Sequence, residues 1–234
     1  MATFPASPLP ARELLEDWLP KAFAEAGPPP GAEEVDVRLG IRLEGEGGGE
    51  WVLHLDHGQL RVIPGSRQET AFTYLQSVED WRGALWEGRG AAIGDGAAQL
   101  FKPGAPAAAA AAAPTGGTLG GAPSASALQQ MEKLSGVIKM VVTGEDGEDW
   151  SVAFKLGPGE IPAEPTTTIT LTAADAAALQ SGELDPMTAF MSGRMQVTGD
   201  MTLMMQMQAI QMQAQAAAAS TGGPAGGSGS GESS

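Results

Sequence analysis

Cysteine is absent from the 234 residues of this chain, and histidine occurs only twice. The lack of cysteine excludes disulfide bonds, thiolate metal ligands and cysteine nucleophiles. Basic side chains are also scarce, since 13 lysine and arginine residues stand against 28 aspartate and glutamate residues, for a net charge of −15. Phosphate backbones and anionic membrane surfaces repel such a chain. We therefore expect no nucleic-acid partner and no docking to an anionic membrane.

Long apolar runs are missing as well. No run approaches the roughly 20 residues that a transmembrane helix needs, and the N-terminal residues lack the basic and apolar parts of a signal peptide. These absences predict a soluble, cytoplasmic protein without stable membrane insertion.

Catalytic motifs are equally scarce. The sequence contains no GxSxG elbow, Walker loop or HExxH motif. His54 and Asp56 could share a strand face, as a metal site or as a base with its orienting partner, but Asp56-His57-Gly58 is also typical of a hairpin turn. We expect both histidines at solvent-facing strand and turn positions. The protein is predicted not to be an enzyme and to need no metal or cofactor.

Two low-complexity segments divide the chain. Residues 105–123 are rich in alanine, proline and glycine and are interpreted as a linker. Residues 215–234 have the composition of a disordered tail. The remaining residues, 1–104 and 124–214, are interpreted as two domains.

The two halves share a pattern. Residues 45–51 and 144–150 each run from a glycine to a tryptophan with the same spacing, which predicts a hairpin whose second strand opens on Trp51 or Trp150. A further strand follows in each half, and a helix then begins at a capping pair, Ser77 with Asp80 or Thr172 with Asp175. This shared order predicts two copies of one structural unit.

The flanking helices differ between the halves. An apolar face predicts a helix over residues 11–25 before the first unit, and the corresponding helix before the second unit is placed at 126–134. Only the second unit continues through a helix capped by Asp185 and Pro186, a strand over 194–197 and a methionine-rich helix from Asp200. The first unit is therefore interpreted as a shortened copy.

The run SGELDPMTAFMSGRMQVTGDMTLMMQM, residues 181–207, resembles the sterol carrier protein 2 (SCP-2) lipid-binding domain family. Residues 124–214 look like a complete SCP-2 domain and residues 1–104 like a divergent one. The resemblance implies an α+β fold for each, a mostly antiparallel five-stranded sheet with helices on one face that enclose an apolar cavity. It also implies a carrier rather than a catalyst, one that binds a sterol-like or fatty acyl lipid.

Strand alternation gives each predicted strand of the second unit one apolar face, and the terminal helix supplies an apolar cover. Together with the resemblance, this pattern predicts a lipid-binding tunnel in the second domain. Its predicted lining residues are Ile138, Met140, Val142, Trp150, Val152, Phe154, Ile169, Leu171, Leu179, Met187, Phe190, Met191, Met195, Val197, Leu203, Met204, Met207 and Ile210.

The methionines admit other interpretations. Unbranched thioether side chains adapt to ligands of different shape, but they also fill ordinary cores. Several thioethers within two helical turns could bind Cu(I). No cysteine or histidine lies nearby, however, and the neighbouring Met204 and Met205 point in different directions. We therefore predict no copper site.

An alternative function stays open at this point. The SCP-2-like fold could have lost its lipid and serve as a protein-interaction or dimerisation module. In that case the first unit, which lacks the final helix, would pair with the second unit or with another copy of the chain, because apolar surface left bare must be covered.

Overall fold

A computed structural model describes residues 3–28, 36–65, 70–102, 132–144, 148–203, 205–206 and 209 of the chain. The predicted linker (105–123) and tail (215–234) lie outside the described residues, as do residues 126–131 of the predicted second helix. At the end of that helix, residues 132–133 form a turn and Leu134 is not helical.

The described residues of the first half form four strands and three helices. Helix α1 winds as a π-helix over Glu13–Trp18 and as an α-helix over Leu19–Ala26, which confirms the helix predicted over 11–25. The strands are β1 (Asp36–Glu44), β2 (Gly49–Asp56), β3 (Gln59–Pro64) and β4 (Phe72–Ser77). Helix α2 (Val78–Arg82) continues as a π-helix over Gly83–Glu87, and α3 (Ala91–Ala98) ends in a 3₁₀ turn at Gln99–Phe101.

The second half follows the predicted order. Its elements are β5 (Gly136–Thr143), β6 (Trp150–Leu156), β7 (Thr167–Thr172), α4 (Ala173–Ser181), α5 (Pro186–Met191) and β8 (Met195–Gly199). Residues 201–203, 205–206 and 209 are helical and belong to the predicted terminal helix. Both capping pairs are confirmed, because Ser77 accepts a hydrogen bond from the amide of Asp80, and Thr172 accepts one from the amide of Asp175.

The eight strands of the described residues belong to one mixed sheet of order β3-β2-β1-β4-β6-β5-β7-β8. Five of its seven pairings are antiparallel, and β1–β4 and β5–β7 are parallel. We expected a separate sheet in each half. The structure differs because β4 pairs with β6, Tyr74 lying opposite Phe154, so the sheet crosses from one half into the other.

The same pairing scheme occurs twice. In the first half β1 pairs antiparallel with β2 and parallel with β4, and in the second half β5 pairs in the same way with β6 and β7. Each half lacks one strand relative to the other. The second half has no counterpart of β3, since residues 157–166 contain three prolines and proline cannot donate to a strand ladder. The first half has no described counterpart of β8.

The β4–β6 pairing supplies both missing neighbours. Strand β4 occupies the position beside β6 that β3 occupies beside β2. In the same way, β6 occupies the position beside β4 that β8 occupies beside β7. The four strands of the second half and β4 together form a sheet of five strands, which is the number that the resemblance implies.

One face of the sheet, called the inner face below, is apolar across its full width. Register places Leu39, Leu53, Tyr74, Phe154, Met140 and Ile169 on this face, one from each strand from β2 to β7. Helix α1 contacts β3, α2 contacts β1, β4 and β6, α4 contacts β5 and β7, and α5 contacts β8. The buried apolar residues of both halves form one continuous cluster.

Candidate functional site

The inner face of the second half gathers most of the predicted lipid-binding residues. Met140, Val142, Val152, Ile169 and Leu171 are each at most 3% exposed. Buried with them are Ile138, Trp150, Phe154, Leu179, Met195 and Leu203, and Val197 is half-buried. The strand alternation read from the sequence therefore matches the burial of these side chains, which form a closed apolar wall between the sheet and α4.

Helix α5 presents its apolar stripe to solvent rather than to this wall. Met187, Phe190 and Met191 stand at positions i, i+3 and i+4, which lie on one side of a helix. They are 64%, 39% and 77% exposed, whereas the small Ala189 is the buried residue of the helix. A surface helix of a globular protein normally turns such a stripe inward, so α5 exposes an apolar surface that the described part of the chain leaves uncovered.

Local hydrogen bonds cap both ends of α5. The Asp185 carboxylate accepts hydrogen bonds from the amides of Met187 and Thr188, both at 3.0 Å, and Pro186 occupies the first helical turn. At the other end, the amide of Gly193 donates to the carbonyl of Phe190. The helix is thus held by caps at both ends and not by burial of its large side chains.

The terminal helix repeats this arrangement. Met201 and Met205, one helical turn apart, are 42% and 61% exposed, while Leu203 is 3% exposed and packs against Gly136 at the start of β5. The Asp200 carboxylate accepts a hydrogen bond from the amide of Thr202 at 2.7 Å, and interaction with the Thr202 side chain, followed by this amide bond, lowers the pKa of Asp200. The predicted site residues Met204, Met207 and Ile210 lie outside the described residues.

A buried carboxylate secures the junction between α5 and β8. Asp175 accepts hydrogen bonds from the Thr172 hydroxyl at 2.7 Å and from Nε of Arg194 at 2.6 Å. The Thr172 bond, with Arg194 as the next favourable partner, lowers the pKa of Asp175 despite its burial. Because Arg194 directly precedes β8, this ion pair ties the start of α4 to the outermost strand of the second half.

Trp150 contacts the first half, which sequence reasoning did not anticipate. Its indole Nε1 donates to the carbonyl of Asp80 in α2 at 2.8 Å. A Cβ placed on Gly90, which precedes α3, would lie 2.5 Å from the same ring. Asp80 also accepts from the amide and hydroxyl of Ser151, both at 3.4 Å. A predicted site residue is therefore enclosed by the N-terminal half.

Phe154 is enclosed in the same way. Its ring stacks on Phe72 at a centroid distance of 5.4 Å and meets Tyr74 edge-on at 5.9 Å, and Tyr74 in turn contacts Phe101 at 5.3 Å. Burial raises the pKa of Tyr74 well above its ordinary value. Helix α3 also contacts α4, so residues of the first half lie along one side of the predicted lipid site. The spacing of apolar residues in residues 88–101, GRGAAIGDGAAQLF, did not indicate helix α3.

His54 was expected at a solvent-facing position, and this prediction was wrong. The residue is 9% exposed, and Nε2 lies 2.7 Å from Oδ1 of Asp36, a partner on the neighbouring strand β1 that the local sequence does not reveal. His57 is exposed in the β2–β3 turn and lies 2.6 Å from Asp56, which lowers the pKa of that carboxyl. Within the described residues, no group of three histidine, aspartate or glutamate side chains is arranged to hold a metal ion.

No helix in the described part of the chain is both long enough and apolar enough to cross a bilayer. Residues 118–212 match the model of the SCP-2 sterol transfer family. This segment contains all the predicted site residues and covers fewer than half of the 234 residues.

Other proteins are similar to part of the chain. Hydroxysteroid dehydrogenase-like protein 2 of Xenopus tropicalis is 28% identical over 87 residues, which are 35% of this chain and 21% of that protein, so the chain spans about a fifth of its relative. Among solved structures, sterol carrier protein domain 2 of Helicoverpa armigera is 29% identical over 37% of this chain and 74% of its own, with a TM-score of 0.29. Palmitated SCP2L2 of Aedes aegypti is 24% identical over 44% and 85%, with a TM-score of 0.28. The family match identifies residues 118–212 as an SCP-2 domain within a longer chain.

Proposed function

We propose that the second half binds and carries an apolar lipid, sterol-like or fatty acyl, without chemical turnover. The observation that carries this proposal is the placement of exposed apolar side chains. Among the described residues, five large apolar side chains are exposed, and all belong to α5 and the terminal helix: Met187, Phe190, Met191, Met201 and Met205. The first half exposes none of comparable size in its described parts.

The energetic cost of this exposure favours a ligand. Burying a methionine or phenylalanine side chain contributes roughly 1.5–3 kcal/mol relative to leaving it in water. Three such side chains on one side of α5 therefore represent a free energy that an apolar ligand recovers when it covers them. Four of the five are methionines, whose flexible side chains adapt to ligands of different shape.

The proposed mechanism is partition between water and an apolar site. The lipid enters beside α5 and the terminal helix, displaces side chains of the inner face and leaves when that helix loosens. The tunnel residues are those predicted from the sequence, with Met204, Met207 and Ile210 among them. No metal, cofactor or nucleic acid takes part, and the carrier is proposed to be cytoplasmic.

The N-terminal half is proposed to be a divergent, shortened copy of the same domain. The repeated β1-β2-β4 and β5-β6-β7 pairing supports this proposal, as do the paired caps at Ser77 and Thr172. Pairing between halves within one chain is visible at β4–β6. Pairing between copies of the chain, the dimerisation alternative, stays a prediction.

Native mass spectrometry of the full chain tests the carrier function. The protein is examined as purified, and again after delipidation and incubation with palmitic acid or cholesterol. We expect a retained lipid mass or uptake of at least one probe. Absence of any adduct in both experiments would contradict the carrier function and favour the interaction module.

A matched pair of variants localises the site. Phe190→Ser removes a large side chain from the exposed stripe of α5 and is expected to weaken uptake. Ile63→Ser makes the same kind of change at a half-buried position of β3, in the half without an exposed stripe, and should leave uptake unchanged. Equal uptake by both folded variants would mean that α5 does not contact the lipid.

A further inference from the structure

Apolar side chains form a continuous band on the inner face, from the outer edge of the second half to the junction of the halves, and this band is the path proposed for the lipid. Strand pairing places Val197, Ile169, Met140 and Val152 in one row across β8, β7, β5 and β6, and Ile138 and Phe154 in the next. With neighbouring strands about 4.8 Å apart, the path from β8 to β4 spans about 19 Å. Exposed apolar side chains lie only at its β8 end among the described residues.

Aromatic rings of the N-terminal half close the other end. Phe72 and Tyr74 stand on β4 directly beside β6, and both contact the ring of Phe154. Phe101, from the 3₁₀ turn after α3, packs edge-on against Tyr74 and is fully buried. A chain that advances along the path meets this aromatic group, which we call the junction cluster (Phe72, Tyr74, Phe101 and Phe154).

Tyr74, Gln76 and Trp150 already have hydrogen-bond partners at this end, whereas the buried indole N–H of Trp81, whose ring contacts Phe101, has none among the described residues. The Tyr74 hydroxyl donates to Oε1 of Gln76, and Nε2 of Gln76 donates to the carbonyl of Ser151 at 2.7 Å. The Trp150 indole donates to the carbonyl of Asp80. Because the polar groups of Tyr74, Gln76 and Trp150 have partners within the protein, this end suits the apolar tail of a ligand and not a charged headgroup.

We propose that the N-terminal half builds the closed end of the lipid site and sets the length of apolar chain that the protein accepts. The inference rests on the proposed carrier function. The tail of a fatty acid lies along the inner face toward the junction cluster, its carboxylate stays at the solvent-exposed β8 end, and Phe72 is the length-determining residue. Phe72 belongs to the half outside the SCP-2 match, so the N-terminal half acts on specificity and not merely on stability.

The test measures dissociation constants for saturated fatty acids of graded length with the full-length protein and its Phe72→Ala variant. Each additional buried methylene strengthens binding about fourfold. Room for two more methylenes therefore raises the affinity for the longer acid relative to the shorter one about fifteenfold. We expect the preferred chain length to increase in Phe72→Ala. Phe72→Leu, which removes less volume, serves if the alanine variant does not fold, with a smaller shift in the same direction.

Phe23→Ala is the matched control. Phe23 is 2% exposed, so its truncation creates a comparable cavity, but it lies in α1, which contacts β3 at the opposite end of the sheet. This variant should be destabilised without a change in the preferred chain length. An unchanged length profile in folded Phe72 variants, or the same change in Phe23→Ala, would overturn the inference while the carrier function stands. Failure of the wild-type protein to bind any acid or cholesterol would instead overturn the carrier function, and this inference with it.

Discussion

The two halves complete the same strand arrangement in different ways, and their tryptophans show how. Trp51 begins the apolar part of β2 and donates its indole N–H to the Glu16 carboxylate at 2.9 Å, within the N-terminal half. Trp150, at the corresponding position of β6, donates to the carbonyl of Asp80 across the junction. The Trp51 indole thus stabilises contacts within the N-terminal half, whereas the Trp150 indole joins the two halves.

Asp80 and Asp175, the acids that follow the two caps, also differ in whether they bond across the junction or within their own half. Asp175 pairs with Arg194, which leads into β8 of its own half. Asp80 instead accepts hydrogen bonds from Ser151 on β6. Extension of the β4–β6 and β7–β8 registers places Ser151 opposite Ser77 and Arg194 opposite Thr172. The lesson is that a strand of a neighbouring unit can occupy the position of a missing strand and make the corresponding contacts.

Truncation of the two tryptophans should separate these roles most clearly. Trp150→Ala is expected to lower the free energy of unfolding by about 3–5 kcal/mol, because a large buried ring is lost. Hydrogen exchange followed by mass spectrometry should then show faster exchange in α2 and β4 as well as in β6. Trp51→Ala is the control and should affect α1 and β1–β3 while β7 and α4 stay protected. Unchanged protection of α2 in Trp150→Ala would contradict a joining role.

Two glycines near Trp150 sharpen the comparison further. Gly88 and Gly90 both have positive φ, +70° and +81°, so alanine at either costs roughly 1–2 kcal/mol in backbone strain. A Cβ on Gly88 meets nothing within 4 Å, whereas one on Gly90 meets the Trp150 ring at 2.5 Å. Gly90→Ala should therefore destabilise the protein by about 1–3 kcal/mol more than Gly88→Ala. Urea denaturation measures the difference in the free energy of unfolding. Equal destabilisation by the two variants would show that the Trp150 ring moves aside without an energetic cost.

A smaller effect, which depends on pH, is expected at Asp175. Asp175→Asn should lower the free energy of unfolding at pH 7 by about 1–2 kcal/mol, since Arg194 is half-exposed and solvent screens the pair. Because the folded protein lowers the pKa of Asp175 below its ordinary 3.8, the stabilisation is present above that pH and disappears as the pH falls through the folded value.

The difference between wild type and Asp175→Asn should therefore shrink in acid denaturation curves below about pH 3.8. Asp80→Asn provides the comparison, because the nearest guanidinium nitrogen of Arg89 lies 3.8 Å from its carboxylate. At pH 7, Asp80→Asn should lower the free energy of unfolding by less than Asp175→Asn does. A difference for Asp175→Asn that persists undiminished in acid would contradict the ion-pair explanation.

Local patterns account for the part of this structure that the sequence predicts. Glycine-to-tryptophan spacing located both hairpins, and the Ser77 and Thr172 caps located the starts of α2 and α4. Alternation of apolar residues identified the buried side of β5, β6 and β7. Each of these signals depends on residues close in sequence, where backbone geometry and short-range hydrogen bonds decide the outcome.

The features that sequence reasoning missed depend on distant partners. Pairing of β4 with β6 joins residues about 80 positions apart, and no local pattern specifies which strand edge meets which. The periodicity of Met187, Phe190 and Met191 correctly indicated a helix but does not reveal whether the apolar side meets protein or solvent. His54 is buried because Asp36 on β1 receives it. Helix α3 contains two glycines, which lower helix propensity, and forms against α2 and α4.

The joined sheet also bears on aggregation. Two separate four-stranded sheets would expose four strand edges, and an unpaired edge is a template for a strand of another molecule. In the described part of the chain only β3 and β8 remain as edges. Strand β3 carries Arg61 and ends at Pro64, and β8 has five residues, features that discourage further pairing. Strands β4 and β6 cover each other's edges, so the pairing that unites the halves also removes two edges at which a strand of another molecule could pair.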